Sequence, residues 1–252
     1  MIRGQTAVGI VVARGGSKGL LRKNVRRLGE YPLVAYTILA AQQSHLLDRI
    51  IVSTDSPEIA RVARRFGADV PFLRPKHLAR DTTHTPPVIE HAVRFLERAE
   101  RLRVDLVVTL QPTSPFRRPE HIDQGIKMLA DHPAWDSVIA VKAAAIPPFW
   151  TFRLKQGRLL PFVTDGTDYL LKERQQLPHT VQPNGAVYVT RRSLLRDQGV
   201  LASLFQGGQT GFLLMDQLTS VDIDEPMDLV VAEQLLRQHP ELAWWRTNGR
   251  RH

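Results

Sequence analysis

The chain of 252 residues carries 34 lysines and arginines against 25 acidic residues, a formal net charge of +9, and it contains no cysteine. This length allows one large α/β domain, or one domain with a small appendage, around a substantial core. The lack of cysteine excludes disulfides, thiolate metal sites and thiol nucleophiles, and it agrees with a reducing compartment such as the cytoplasm.

Charge and hydropathy also bear on the partners of the chain. The apolar run before Arg14 is about seven residues long, which is too short for a signal peptide or a membrane span. We therefore expect a cytoplasmic protein with no membrane partner. Nucleic acid is not the expected partner, because aromatic residues are not interleaved with the basic ones, as a base-stacking surface requires.

The first half of the chain alternates short runs rich in valine and isoleucine with amphipathic stretches. Strands are predicted over residues 7–13, 49–54, 104–110 and 136–141, and helices over 33–44, 57–66, 87–101 and 119–130. This alternation is typical of an α/β fold with a mostly parallel, Rossmann-like sheet covered by helices on both faces. Ligands bind such sheets at the carboxyl ends of the strands. The first loop, residues 54–55 and residues 111–115 should therefore line one crevice.

The second half of the chain begins with a change of amino-acid composition. Residues 146–185 are rich in proline and aromatic residues and lack a helical period, which predicts an irregular, hairpin-bearing insertion. The main domain then comprises 1–145 and 186–238, with strands at 186–190, 211–215 and 220–223 and a helix from Pro226 to about 237. A tail follows at 239–252, and its sequence does not decide whether it packs on the domain.

The first loop, defined here as residues 13–24, follows the first predicted strand. Three glycines would let the backbone approach a ligand closely, and four cations without a carboxylate indicate a strongly anionic ligand such as a nucleoside triphosphate. The loop is not a Walker loop, because Lys18 is followed by Gly19 at the wrong spacing, and Gly-x-Gly-x-x-Gly is absent as well. The alternative is a solvated basic turn.

Two further features indicate chemistry. Asp222 and Asp224 end a predicted strand, where a period of two places both carboxylates on one face, about 6.5 Å apart at the backbone, around a hard cation such as Mg²⁺. Alternatively, Asp224 caps the helix near Pro226 and Asp222 is solvated. Gln111 stands at another strand end, where its amide can orient a hydroxyl but is too weak a base to accept a proton.

Together these motifs resemble the acylneuraminate cytidylyltransferase family, the CMP-sialic acid synthetases. Seven blocks between residues 7 and 236 carry the resemblance, and they occur in the expected order. They are the first loop with Arg22-Lys23-Asn24, Ile-Val-Ser-Thr-Asp-Ser at 51–56, Phe-Leu-Arg-Pro at 72–75, Leu-Gln-Pro-Thr-Ser-Pro at 110–115, Arg-Gln-Gln-Leu-Pro at 174–178, Pro-Asn-Gly-Ala-Val-Tyr at 183–188 and Ser-Val-Asp-Ile-Asp at 220–224.

The resemblance implies a nucleotidyltransferase that makes a CMP-activated acidic sugar from CTP and releases pyrophosphate. The sugar would be a nonulosonic acid such as N-acetylneuraminic, legionaminic or pseudaminic acid, or a Kdo-type acid, and its C2 hydroxyl would attack the α-phosphorus. The resemblance also implies a homodimer in which the insertion contributes to dimerisation and sugar binding. Two alternatives remain: transfer of another nucleotide or to another sugar on the same fold, and a basic nucleotide-binding protein without turnover.

The resemblance further implies a role for each matching residue. Asp222 and Asp224 would hold Mg²⁺, and the catalytic set would be Arg14, Lys23, Gln111 and Asp222. The proton acceptor stays open between an aspartate and a water on the metal. Nucleotide-binding residues would be Arg14, Gly15, Gly16, Ser17, Lys18, Lys23, Asn24, Arg74 and Thr85, and sugar-binding residues would be Gln111, Arg174, Asn184 and Tyr188.

Arg174 is the candidate for the carboxylate of the sugar, because a guanidinium can bind a carboxylate through two hydrogen bonds. A surface ion pair with Glu173 is the alternative. Three positions depart from the family pattern: Leu21 replaces a proline, Thr85 replaces a serine and keeps the hydroxyl, and Trp150 stands where related bacterial enzymes can present a lysine to the substrate. The last change favours a sugar other than sialic acid, such as legionaminic, pseudaminic or an amino-Kdo acid.

Overall fold

The computed structural model describes residues 1–195 and 208–246. Its strands are β1 (Ala7–Val12), β2 (Arg27–Leu28), β3 (Tyr31–Pro32), β4 (Arg49–Ser53), β5 (Leu106–Leu110), β6 (Ser137–Ala143), β7 (Phe152–Lys155), β8 (Arg158–Pro161), β9 (Val181–Arg191) and β10 (Thr210–Leu214). Six of them form the central sheet in the order β10-β6-β9-β5-β1-β4. All neighbours in it are parallel except β9, which is antiparallel to β5 and β6. The predicted α/β fold with a mostly parallel sheet is confirmed.

The helices are α1 (Leu33–Gln42), α2 (Pro57–Arg65), α3 (Thr85–Ala99), α4 (Pro119–Asp131), α5 (Arg192–Leu195) and α6 (Pro226–Gln238). Proline occupies the first turn of α2, α3, α4 and α6, where its missing N–H leaves no bond unmade. The helices predicted from periodicity are confirmed, although α3 begins two residues earlier, at Thr85. None of the helices in the described residues is long and apolar enough to cross a membrane.

The core lies on both faces of the sheet, as the alternation of side chains along β1 shows. Ala7 and Val11 belong to one buried cluster together with α1, whereas Val8 and Ile10 belong to a second cluster together with α3. Successive residues of a strand point to opposite faces. The sheet is therefore covered by helices on both sides, and its carboxyl edge remains open for the loops that follow the strands.

One predicted strand is wrong. Residues 220–223 form no strand; they leave a turn and run as an irregular segment to α6. The backbone N–H of Ile223 donates to the carbonyl of Thr113 at 2.9 Å, and the Ile223 side chain is fully buried. The alternation of apolar and polar residues here comes from a single buried side chain, Ile223, which packs at the carboxyl ends of the strands. The strand geometry assumed for Asp222 and Asp224 therefore does not apply.

The insertion contains the β7–β8 hairpin, a set of short 3₁₀ turns and the beginning of β9. The hairpin exposes the cross-strand pair Leu154 and Leu159, which are 83% and 63% accessible. β9 starts at Val181, inside the range assigned to the insertion from sequence. The division into a main domain, insertion and tail stays a prediction.

The tail packs on the domain as far as Arg246. Trp244 and Trp245 are buried, and the ring of Trp245 lies edge-on to that of Tyr36 with 4.6 Å between centroids. Arg246 forms a 2.6 Å ion pair with Glu30. The two tryptophans therefore extend the main core.

Candidate active site

The first loop, the end of β5 and the segment before α6 meet around a cavity of about 480 Å³ at the carboxyl edge of the sheet. This space, here called the main cavity, brings together most of the residues singled out in the sequence. Those that line it are Arg14, Ser17, Lys18, Lys23, Asn24, Arg74, Thr85, Gln111 and Asp224, joined by Asp81, Thr83, Thr113 and Glu225.

The first loop is held by contacts with the protein itself. The N–H of Gly15 donates to Asp55 Oδ1 at 2.8 Å, and the buried Asn24 donates from Nδ2 to the carbonyl of Arg14 at 2.8 Å. A methyl group on Gly15 would lie 3.0 Å from Ser56 Cβ, whereas one on Gly16 would meet no protein atom within 4 Å. Gly15 therefore serves loop packing, and Gly16 is the glycine that faces open space.

Each of the four cations in the first loop is paired with an acid from another part of the chain. Arg14 and Lys18 share Asp81, at 2.9 and 3.0 Å, and Lys23 Nζ lies 2.6 Å from Asp224 Oδ1. The fourth cation, Arg22, pairs with Glu58 outside the main cavity. The Lys18 hydrogen bond, with further help from Arg14, lowers the pKa of Asp81. A polyanion entering the main cavity must compete with Asp81 and Asp224 for these cations.

Asp222 differs from Asp224 in its surroundings. Its Oδ1 and the hydroxyl of Thr113 are both buried close together, and neither has another hydrogen-bond partner in the described residues. Burial raises the pKa of Asp222, and the charge of Asp224 raises it further, whereas the nearby Thr113, Lys23 and Lys142 oppose the rise. A buried carboxylate oxygen with a single neutral hydroxyl for a partner is a costly arrangement that a bound cation would relieve.

The Asp222/Asp224 pair fits Mg²⁺ in number and in donor chemistry. Mg²⁺ usually takes one or two carboxylates together with substrate phosphates and water. Within residues 1–195 and 208–246 there is no group of three or more histidine, aspartate or glutamate side chains that could hold a metal without a substrate. The capping alternative for Asp224 is wrong, because the N-cap of α6 is Glu225 and Asp228 Oδ2 accepts from the N–H groups of Asp224 and Glu225 at 2.9 and 2.8 Å.

Arg74 supplies a buried cation at the other side of the main cavity. Its backbone N–H donates to Thr54 at 2.7 Å, and its Nε donates to Ser53 Oγ at 3.1 Å. Burial lowers the pKa of Arg74 to about 10, against the effect of Asp55, and the positive charge of Arg14 acts in the same direction as burial. The guanidinium therefore stays charged at neutral pH and lies near enough to Arg14 for the two to act on one ligand.

A second, smaller cavity of about 80 Å³ adjoins the first and shares Gln111 and Thr85 with it. The remaining lining residues are Pro86, Ile89, Thr109, Tyr188 and Leu195, so this space is largely apolar. Burial raises the pKa of Tyr188, and the negative charge of Asp222 adds to the rise. Tyr188 is thus a neutral phenol at physiological pH beside the carboxylate pair.

Asn184 and Arg174 lie outside the lining of both cavities in the part of the chain that the structure describes. The amide of Asn184 is buried and engaged: Nδ2 donates to Ser220 Oγ at 2.9 Å, and Oδ1 accepts from the N–H of Ala186 at 3.0 Å. Arg174 is exposed and donates to the carbonyls of Ala144 and Ala145 at 3.2 and 3.1 Å. Their assignment to the sugar stays a prediction.

Residues that the sequence-based predictions did not name include Asp81, which lines the main cavity, and Arg117, which lies beside Gln111. Asp81 was missed because an exposed acid in a loop has no spacing that links it to Arg14 and Lys18. Arg117 is fully buried next to Gln111, and the only signal for it in the sequence is its position in the proline-rich run that follows Gln111, a run that also contains the cation Arg118.

Comparisons with known proteins identify the family of this chain. A family model described as cytidylyltransferase matches residues 8–198. The chain is 35% identical over 238 residues to the CMP-N,N'-diacetyllegionaminic acid synthase of Legionella pneumophila, covering 92% of this chain and 97% of that protein. It is 33% identical over 225 residues to the N-acylneuraminate cytidylyltransferase of Escherichia coli, covering 89% of this chain and 51% of that longer protein.

A solved structure titled as CMP:2-keto-3-deoxy-manno-octonic acid synthetase complexed with CTP has a similar fold. Its TM-score is 0.70 at 18% identity, and the superposition covers 93% of this chain and 99% of that one. At this identity the likeness establishes the fold alone.

Proposed function

The chain belongs to the cytidylyltransferase family, and from that premise we propose that it transfers the cytidylyl group of CTP to an acidic 2-keto-3-deoxy sugar, releasing pyrophosphate. The observation that carries the proposal is the main cavity, in which Arg14, Lys18 and Lys23 lie together with Asp224, while Asp222, two residues earlier, is buried beside it. Clustered cations beside a carboxylate pair suit a triphosphate bound with a divalent cation.

The acid that we favour is N,N'-diacetyllegionaminic acid. The Legionella relative whose name includes this sugar matches almost its whole length, at 35% identity. The small cavity beside Gln111 and Tyr188 is largely apolar, which suits the methyl groups of acetamido substituents on a sugar. Other nonulosonic acids are the competing substrates.

The residues divide the work by position. Arg14 and Lys18 would bind the phosphates after Asp81 releases them, and Arg74 with Thr85 would lie towards the base and ribose. Gln111 would align the C2 hydroxyl of the sugar, and Tyr188 would pack beside it. Phosphoryl transfer of this kind depends chiefly on alignment of the reacting groups and on stabilisation of negative charge.

Asp222 and Asp224 would hold Mg²⁺. The ion, when bound, supplies positive charge at the triphosphate and at the departing pyrophosphate. The contribution of the chain is to present Asp222 from a buried position and Asp224 from an exposed one, with Lys23 beside both. A cation bound by Asp224 would weaken the ion pair between Asp224 and Lys23. The Lys23 ammonium would then be available to the phosphates nearby.

We also propose that the protein is a homodimer that associates through the β7–β8 hairpin. The hairpin presents Leu154 and Leu159 side by side to solvent, and adjoining exposed apolar side chains of this kind suit a protein–protein contact. A second copy is the occupant to which we commit, because one twofold axis can bury the same patch of both subunits. The cytoplasmic location stays a prediction.

The test of the function measures pyrophosphate release from CTP and Mg²⁺ with N,N'-diacetyllegionaminic, N-acetylneuraminic, pseudaminic and Kdo acids. We expect turnover with at least one acid and the highest kcat/KM with the first. Thermal shifts with CTP, UTP, ATP and GTP should show stabilisation by CTP above the other three, because a specific ligand stabilises the folded state by mass action. No pyrophosphate with any acid, together with no CTP-specific shift, would overturn the proposal.

A further inference from the structure

Arg117 is a fully buried cation with no acid partner. In the part of the chain that the structure describes, no carboxylate lies within salt-bridge distance of its guanidinium, and burial lowers its pKa to about 9, so that it stays charged at neutral pH. A buried charge without a counter-ion is costly and persists only where hydrogen bonds compensate it. The groups to which Arg117 donates hydrogen bonds therefore indicate the role of this buried guanidinium.

The guanidinium connects three separate elements beside the active site. Nε donates to the carbonyl of Ala186 in β9 at 2.6 Å, Nη2 donates to the carbonyl of Gln111 at 2.6 Å, and Nη1 donates to Thr37 Oγ1 in α1 at 3.1 Å. The Thr37 hydroxyl in turn donates to the same Gln111 carbonyl at 3.3 Å. The main chain of Gln111 is thus held from two sides.

The contact with β9 falls on an irregularity of that strand. β9 pairs Tyr188 with Ile139 of β6 and next pairs Pro183 with Val141, so residues 184–187 form a bulge. Gly185 in the bulge has a φ of +75°, and a methyl group on it would lie 2.9 Å from Gln111 Oε1. The Gln111 side chain therefore lies directly on the bulge whose carbonyl Arg117 binds.

We propose that Arg117 is a positioning residue for the sugar half of the site, which fixes Gln111 against the 184–187 bulge and so sets the direction of the Gln111 amide. The inference rests on the proposed function, in which Gln111 aligns the acid. The guanidinium binds the protein alone and lines neither cavity, so its effect reaches the substrate through Gln111. The planar guanidinium of arginine, with several N–H donors in fixed directions, suits this role better than the single ammonium group of lysine.

The test compares Arg117→Met with Arg117→Lys and with a matched control, Arg191→Met. Arg191 also makes three hydrogen bonds within the protein, all of them to main-chain carbonyls, those of Trp135, Leu129 and His132 at 2.7, 2.9 and 3.1 Å, but it lies at the carboxyl end of β9. Each variant is assayed for its Kd for CTP with Mg²⁺ by calorimetry, its Tm, and its kcat and KM for N,N'-diacetyllegionaminic acid at saturating CTP.

We expect Arg117→Met to lower kcat/KM for the acid by roughly 10- to 100-fold, the scale of an ångström misplacement of an aligning group, while Kd for CTP stays within about twofold. Arg117→Lys should recover part of the loss, and Arg191→Met should leave kcat/KM for the acid unchanged whatever its Tm. A folded Arg117→Met with unchanged kinetics for the acid would overturn the inference. So would an equal loss in Arg191→Met, because the effect would then be general destabilisation.

A second variant tests the inference if Arg117→Met does not fold. Thr37→Val removes the hydroxyl that joins Arg117 to Gln111, and it should lower kcat/KM for the acid by a smaller factor than Arg117→Met. Unchanged kinetics in Thr37→Val would overturn the inference. The wild-type assay separates the two proposals. If the wild type releases no pyrophosphate with any acid, the proposed function fails, whereas an active wild type with unaffected variants overturns the role of Arg117 alone.

Discussion

Lys23 and Asp224 form a 2.6 Å ion pair that joins the first loop to the segment before α6. A second contact lies beside it, since a methyl group on Gly19 would approach the backbone oxygen of Asp224 to 2.6 Å. The first loop and the segment that carries Asp224, which are far apart in the sequence, therefore pack directly against each other.

The carboxylate pair should be indispensable for turnover but not for folding. Asp222→Asn and Asp224→Asn should each lower kcat by at least ~100-fold, as expected for loss of a principal electrostatic group. Asp222→Asn should also keep or raise Tm, because burial raises the pKa of Asp222 and the ionised form therefore disfavours the native state at neutral pH.

The matched control is Asp131→Asn, which removes an acid paired with Arg3 outside the main cavity. Its kcat should equal that of the wild type, measured as pyrophosphate release with Mg²⁺. Retained activity in both Asp222→Asn and Asp224→Asn would exclude the pair as the magnesium site.

Gly19 and Gly16 should respond differently to the same substitution. Gly19→Ala forces its methyl group against the Asp224 backbone, and overpacking of this kind costs about 1–3 kcal/mol. Gly16→Ala meets no protein atom and should leave Tm unchanged, so that any rise in its KM for CTP would report a close approach of the ligand. Thermal melting distinguishes the two variants, and equal Tm values for both would contradict the packing described here.

The sequence predicted the sheet and the helices because these depend on local patterns. It also predicted that the first loop and residues 111–113 line one crevice, whereas residues 54–55, expected there as well, do not line the main cavity. The apolar runs of β1 and β5 end directly at the first loop and at Gln111, and parallel strands bring their carboxyl ends to one edge. The prediction of a strand at 220–223 is wrong because two structures produce the same alternation around Ile223: a strand, and an irregular segment that buries one side chain at the strand ends. Only the hydrogen-bond partner, here Thr113, distinguishes these two structures.

Contacts between distant polar residues were beyond sequence reasoning. Asp81 pairs with Arg14 and Lys18 through the fold, and nothing in their spacing indicates it. Asn184 illustrates the converse: its family motif suggests a sugar ligand, while its amide is engaged with Ser220 and Ala186. The residue types were visible in the sequence, but the partners were not.

Asp81 should act as a competitor of the nucleotide. Because its carboxylate is shared by Arg14 and Lys18, Asp81→Asn should lower the Kd for CTP with Mg²⁺ by roughly 3- to 10-fold, the scale of one or two exposed ion pairs. Glu58→Gln is the control, since Glu58 pairs with Arg22 outside the main cavity and its loss should leave Kd unchanged. Calorimetry measures both, and weaker binding by Asp81→Asn would show that Asp81 orients the two cations.

The hairpin should determine the oligomeric state. Leu154→Asp places a charge in the exposed apolar pair with Leu159, which would leave an unpaired carboxylate in a dimer interface. We expect light scattering to give twice the 28.5 kDa chain mass for the wild type and a single chain mass for the variant. Met227→Asp, at another exposed apolar position, on α6, should remain dimeric. A monomeric wild type would exclude the dimer.

The two tryptophans of the tail should be required for stability. Trp245 is buried against Tyr36, with 4.6 Å between ring centroids, and its indole N–H has no hydrogen-bond partner in residues 1–195 and 208–246. Trp245→Ala should therefore lower the free energy of unfolding by about 3–5 kcal/mol through loss of packing. Trp245→Phe keeps an aromatic ring and forfeits no hydrogen bond, so it should cost clearly less. Urea unfolding of both variants measures the difference, and equal stabilities for Trp245→Ala and the wild type would show that the tail does not contribute to the core.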